Sequence, residues 1–370
     1  MTIQEITRMV MIDPAYDFLT NEPVLRNRDT LFLCLGGSYA YGTNVETSDV
    51  DVRGAVMNTE EELLGLSNFE QYVHTATDTT LYSLKKLVPL LMNCNPNIIE
   101  MLGCLPEHYL YVSPLGQSLL DNAKLFLSRR AARSFAGYAQ AQFRRLENAL
   151  ARDRLPQSRK EEHIRDSIEN VTRAFKERPQ GAALSSYTLS TGPSQRPDRE
   201  TETFIDFSVR HMPVRDLKSM VNEITNVVND YELNMNARNR KKDEAHLCKH
   251  AMHLVRLYLM GVDILEKEQI ITYREKEHDL LMDIRGGKYQ AEDGTFHSSF
   301  FDLVDELEKR FVYAKDHTSL PENPDAKAIE QLVMQLNRTM IQGRDTTFVP
   351  NPFFGEAVDQ HGNSLRLLGR

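Results

Sequence analysis

The residues able to do chemistry gather in one stretch, LFLCLGGSYAYGTNVETSDVDVRG, running from Leu31 to Gly54. A Gly-Gly-Ser turn comes first, and Asp49 and Asp51 follow at alternate positions. In an extended strand alternate residues point the same way, so the two carboxylates project together while Val50 and Val52 face inward. Two neighbouring carboxylates repel unless a cation sits between them. Hard oxygen donors of this kind suit magnesium or manganese, which completes its shell with water and substrate phosphates. Two such ions can hold the attacking and leaving oxygens of an in-line displacement at phosphorus. Gly36 and Gly37 let the backbone approach a ligand, the amides of the next helix favour a phosphate, and Ser38 adds a hydroxyl.

A third carboxylate completes sites of this kind and can take the proton of an attacking hydroxyl. Asp78, in HTATDTTLYSL, is the candidate on order and context, with Glu70 and Glu100 as competitors. Alone, a Gly-Gly-Ser is usually a turn and an Asp-x-Asp usually an exposed edge. Motif and expected context together favour catalysis.

These residues need a strand, a turn and a second strand to hold them. TLFLCL reads as a central strand, SYAYGT as a short helix and VDVRGAVM as the second strand. A third strand is expected from about Gln71 to Leu81, after a helix capped by Asn58 or Thr59. YSLKKLVPLLMNC follows as an amphipathic helix that Pro89 can kink, and Asn95 or Asn97 caps the helix beginning NPNIIE. A substrate contact by Asn95 is the other role open to it.

Beyond Ser113 and Pro114 helical periodicity takes over, which sets the expected boundaries. These are a catalytic domain over 1–115, a helical domain over 116–341 that closes on the nucleotide, and a tail over 342–370 ordered only by packing. Glu177 to Arg199 reads as a long loop. Helices resume near Val214 and cover about Asp243 to Glu268, then QIITYRE reads as a short strand before further helix to about Ile341.

In the helical half Lys249, His253 and Arg256 share one helical face, able to present positive charge to a triphosphate or an RNA end. Its plain alternative is a polar face at the domain interface. His246, His250 and His253 also have ligand-like spacing, but no Cys or carboxylate partner accompanies them, which argues against zinc. Basic clusters at 128–133, 144–154 and 237–242 read first as solvated faces and second as guides for RNA.

The chain has 370 residues and a net charge of −9, so it suits two domains and does not attract a phosphate backbone non-specifically. Four cysteines without a CxxC pair suggest reduced thiols rather than a disulfide or zinc framework. No leader-like start is evident and no apolar run approaches about 18 residues, so a cytoplasmic protein without a membrane partner is expected.

With these residues in view, the Gly-Gly-Ser, the Asp-x-Asp and their strands resemble the nucleotidyltransferase core of polymerase beta, poly(A) polymerases and CCA-adding enzymes. More narrowly GGSYAYGTNVETSDVDVRG, YSLKKLVPLL, NPNIIEML and KHAMHLVRLYLMG are similar to the RlaP type of nucleotidyltransferase, associated with RNA repair. The resemblance implies an α/β core with a small mixed sheet followed by a mainly helical domain. It also implies that Gly37 and Ser38 hold the triphosphate and that Asp49, Asp51 and Asp78 hold the metals. Tyr39, Tyr41 and Arg53 flank that site, and Arg53 either meets a phosphate or, preferably, braces the aspartates. The expected reaction is transfer of a nucleotide from an NTP to an acceptor hydroxyl, an RNA (including tRNA) 3′ end, with two magnesium or manganese ions. Modification of a protein or small molecule, and non-catalytic nucleotide sensing, remain the alternatives. The preferred NTP and the oligomeric state are not legible.

Overall fold

The structure, a computed structural model, describes all residues except 27, 155–156, 177–183, 195–200, 233–236, 293 and 343–370. Side chains are also left undescribed over 147–163, 174–185 and 229–246. The expected tail therefore lies outside the described residues.

In chain order the elements begin with α1 (Ile3–Ile12), α2 (Phe18–Asn21), β1 (Thr30–Leu35), α3 (Gly37–Tyr41), β2 (Val52–Val56) and α4 (Glu60–Leu64). Next come β3 (Gln71–His74), β4 (Thr79–Ser83), α5 (Leu84–Met92), α6 (Pro96–Ile99), β5 (Tyr109–Val112) and α7 (Pro114–Asp121). The chain continues with α8 (Arg130–Arg154), α9 (Gln157–Lys176), β6 (Leu184–Pro193), β7 (Thr201–Val209) and α10 (Val214–Glu232). It ends with α11 (Ala237–Lys267), α12 (His278–Arg285), α13 (Ser298–His317) and α14 (Ala326–Ile341). No described helix is long and apolar enough to cross a membrane.

Five strands form a mixed sheet in the order β3-β4-β2-β1-β5. β2 and β4 run parallel, and the other neighbours run antiparallel. This is the small mixed sheet expected, followed by a mainly helical remainder. Every residue of β1 is buried, as its unbroken apolar string requires of a central strand. Its end delivers the chain directly into the Gly-Gly-Ser turn.

The chain divides into two compact units. One comprises Met1–Gln140, Met252–Gly286 and the residues from Ser299; the other comprises Ala141–Ala251 and Gly287–Ser298. Compact packing thus does not follow a single cut near residue 115, because later helices return to the unit that holds the sheet. In the second unit β6 and β7 form a hairpin whose Tyr187, Leu189 and Ile205 pack with Ile168 and Val171 of α9 and Met220 and Val227 of α10.

Three local expectations are corrected, and one strand was not anticipated. The single strand expected from Gln71 to Leu81 is broken by a 3-10 turn over Thr75–Thr77 and by Asp78, whose φ of 43° is left-handed. Such a residue ends the alternation of a strand, and β3 folds back antiparallel on β4. The loop expected from Glu177 to Arg199 contains β6, whose alternation was masked by Gly192 and Pro193. QIITYRE forms no strand; Thr272 and Arg274 instead donate single backbone bonds to Gly103 and Tyr41. β5, which the sequence did not suggest, covers the free edge of β1. Thr59, rather than Asn58, caps α4 through a capping box with Glu62, and Asn95 caps α6.

α7 sits close behind β1. A Cβ on Gly116 would stand 1.9 Å from the Leu31 carbonyl oxygen, so only glycine allows this approach. Gly116→Ala is expected to lower stability by about 3 kcal/mol, measured by denaturant unfolding, because helix and strand must separate.

Candidate active site

Strand β1 ends at Leu35 and the chain turns through Gly36 into α3. The Gly36 amide donates to the Asp51 carbonyl at 2.8 Å, extending the β1/β2 ladder one residue past the Leu35–Val52 pair. Asp51 is thereby pinned beside the turn. Gly37 has φ +54°, and a Cβ built on it would lie 1.8 Å from a carboxylate oxygen of Asp51. The Asp51 carboxylate therefore occupies the space that a side chain at Gly37 would need. Ser38 is buried, and Thr43 donates its amide to the Ser38 carbonyl, closing the end of α3.

The parallel register pairs Val52 with Thr79 and Arg53 with Thr80. One step earlier the Val52 amide donates to the Asp78 carbonyl at 3.3 Å. The backbone of Asp78 thus lies alongside the Asp51–Val52 segment, although the two are distant in sequence. Asp49 and Asp78 are exposed and Asp51 is half-buried. Among the described residues no group of three or more His, Cys, Asp or Glu is gathered so as to hold a metal ion. The three acids therefore do not form a closed ligand cage by themselves.

Behind this surface is a buried ionic layer. Glu100 is 3% exposed and Arg256 4%. The Arg256 guanidinium donates to Glu100 at 3.0 Å and lies 3.7 Å over the ring of Tyr41. The Tyr41 hydroxyl donates to the same carboxylate at 2.9 Å. Burial pushes the Tyr41 hydroxyl far above its usual range; Arg256 opposes that rise and Glu100 adds to it. The side chain of Arg53 packs over Gly36, where a Cβ would stand 2.9 Å from its Nε. Burial works against the charge of Arg53, but Glu100, Tyr41, Tyr82 and Asp51 outweigh it, so its pKa is raised. Arg53 therefore stays cationic beside the Gly36 turn.

Arg256 departs from its expected place at a triphosphate, because its guanidinium is buried and bonded to Glu100. The shared face of α11 explains this: Lys249 is exposed, His253 half-buried and Arg256 buried, so the face runs from solvent into the core. Lys249 belongs to the second unit. His253 presents its ring edge-on to Tyr41 at 6.0 Å. His250 meets Gln142 at 3.1 Å, and the side chain of His246 lies outside the described residues.

Both competitors for the third-acid position are otherwise engaged, Glu70 with Lys86 at 2.8 Å and Glu100 with Arg256. Asn95 donates to the Tyr138 hydroxyl as well as capping α6. In the first basic cluster Arg129 donates to the carbonyls of Thr318 and Leu320, and Arg130 donates to Asn93 and Asn323. These arginines fasten the 318–323 segment. The side chains at 147–154 and 237–242, in the other two basic clusters, lie outside the described residues. Sequence reasoning missed that Glu100 is the central buried acid; its setting in NPNIIEML signalled only a helix.

Residues 12–161 match the family model described as RlaP, RNA repair pathway DNA polymerase beta family. The match includes the Gly-Gly-Ser turn, Asp49, Asp51, Asp78 and Glu100, and bears out over that segment the resemblance read from the sequence. KHAMHLVRLYLMG lies beyond it. No curated protein and no solved structure matches the chain.

Breaking a buried pair leaves the remaining charge uncompensated. Glu100→Gln is expected to cost about 3–5 kcal/mol in denaturant unfolding, and Tyr41→Phe, which removes one hydrogen bond, about 1 kcal/mol.

Proposed function

We propose that this chain is a metal-dependent nucleotidyltransferase that transfers an NMP from an NTP to an acceptor hydroxyl, the 3′ end of an RNA in need of repair, with release of pyrophosphate. The observation that carries the proposal is the contact of Gly37 with the Asp51 carboxylate. It joins the strand-to-helix turn, suited to a triphosphate, to the carboxylate pair, suited to a divalent cation. The matched family, polymerase-beta-like and belonging to an RNA repair pathway, supports the same reaction class.

The donor set fits magnesium or manganese in its chemistry: oxygen ligands only, from one exposed and one half-buried carboxylate, a number of protein ligands that leaves phosphates and water to complete the shell. Asp49 and Asp51 would hold the metal, with Asp78 as the acid proposed to complete the set. When bound, the metal supplies charge neutralisation at the reacting phosphate.

The chain's own residues do the rest. The Gly36–Ser38 turn receives the triphosphate beside Arg53 and Asp51, whose side chains pack against the two glycines. Arg53 braces the Asp51 side of the turn from within. Asp78 accepts the proton of the attacking hydroxyl, while His253 is proposed on the NTP side. Arg256 is not placed there because Glu100 and Tyr41 hold it. Rate enhancement comes from orientation and from fixed charges, since phosphoryl transfer asks little covalent chemistry of the protein.

Purified protein incubated with each α-labelled NTP, magnesium and a pool of small RNAs should label RNA, and an Asp49→Ala/Asp51→Ala variant should not. Label on protein or on a small molecule instead would move the acceptor away from RNA. NTP binding without transfer in any fraction would leave a sensor rather than an enzyme. Gly37→Ala should lower transfer by about 100-fold or more, because the new methyl displaces the Asp51 carboxylate.

A further inference from the structure

The segment from Thr43 to Asp51 carries the chain from α3 to the two acids, and its two ends are fixed by different means. The end at Asp51 is held by the sheet, through the bond from Gly36. The β1/β2 pairing stops there, short of Asp49. Upstream, Ser48 closes a turn: its amide donates to the Val45 carbonyl at 2.9 Å, and its hydroxyl accepts from the Val45 amide at 2.9 Å. Asp49 is the residue that follows.

Arg285, the last residue of α12, reaches this turn from far along the sequence. One of its Nη atoms donates to the Thr43 carbonyl and the other to the Ser48 hydroxyl at 3.3 Å. All of these residues belong to the first unit. The guanidinium is half-buried, so part of its hydration is lost and two protein acceptors replace it. Its planar fork bridges Thr43, ahead of the turn, and Ser48, at its end, which the single ammonium of a lysine does not do.

We infer that Arg285 is a positioning residue for Asp49: by tying Thr43 to Ser48 it fixes the loop that presents this carboxylate to a divalent cation. The inference rests on the metal-dependent reading of the site proposed above. Arg285 acts through Ser48, and Asp51 needs no such help because the sheet already holds it. Loss of the clamp lets Asp49 move relative to Asp51, and paired oxygen ligands lose affinity when their spacing is no longer fixed.

Manganese binding to the full chain, followed by the electron paramagnetic resonance of the free ion, tests this without requiring product. Arg285→Ala is expected to bind manganese about ten-fold more weakly than the native chain, with Arg285→Lys in between. Ser48→Ala should weaken binding in the same direction. The double variant should lose no more than the weaker-binding single one, since both substitutions break one linkage. In the transfer assay Arg285→Ala should need more magnesium for half-maximal rate, with the KM for NTP at saturating magnesium unchanged.

Native-like manganese affinity in Arg285→Ala overturns the inference, as do losses that simply add or a native chain that binds no manganese. If Arg285→Ala does not fold, Arg285→Lys and Ser48→Ala decide the question by the same measurement. A native chain that binds manganese in this Arg285-dependent way but transfers no nucleotide would count against the transferase reading alone.

Discussion

At the Gly-Gly-Ser turn the backbone of Gly37 and the carboxylate of Asp51 occupy space that could not also admit a side chain. This contact sets demands on everything around it. The sheet must bring β2 beside β1 in the register that delivers Asp51 to Gly36, and β1 must end where the turn begins. The close seat of α7 against Leu31 supports β1 from behind, and β5 covers its other edge. Ligand and metal chemistry would then be concentrated where one strand ends and the next begins.

Holding acids together at a surface requires compensating charge beneath it. Arg53 supplies that charge next to Asp51, and Glu100 in turn draws on Arg53 and Arg256. The alternation Asp51, Arg53, Glu100, Arg256 leads inward from the turn to the core, with Tyr41 bonding and stacking at its centre. Buried ion pairs add little net stability compared with apolar residues of similar size, whereas losing one partner is costly. Such an arrangement fixes geometry more than it adds stability.

Much of the sheet-bearing part of the chain was legible in the sequence because its signals are local. The apolar string TLFLCL and the glycine turn each follow from a few adjacent residues, and the onset of α10 at Val214 follows from helical periodicity; the second strand begins at Val52, so Asp49 and Asp51 precede it rather than alternate within it. The features missed depend on distant partners or on unusual backbone. Glu100 and Arg256 stand 156 positions apart, and nothing near either predicts that they meet. Arg256 read as a cation available to a triphosphate because helical spacing cannot say how deep a face runs. Asp78 sits in a left-handed conformation that interrupts an otherwise strand-like string. β6 could be recognised only through its pairing with β7, beyond the segment itself.

The most direct measurement compares the fates of α-labelled and γ-labelled ATP, or of whichever NTP the protein prefers, during turnover with magnesium. The account predicts that α-label moves to the acceptor in one-to-one ratio with pyrophosphate that retains the γ-label. Release of the γ-label as free phosphate, with the α-label left in a nucleoside diphosphate, would contradict it.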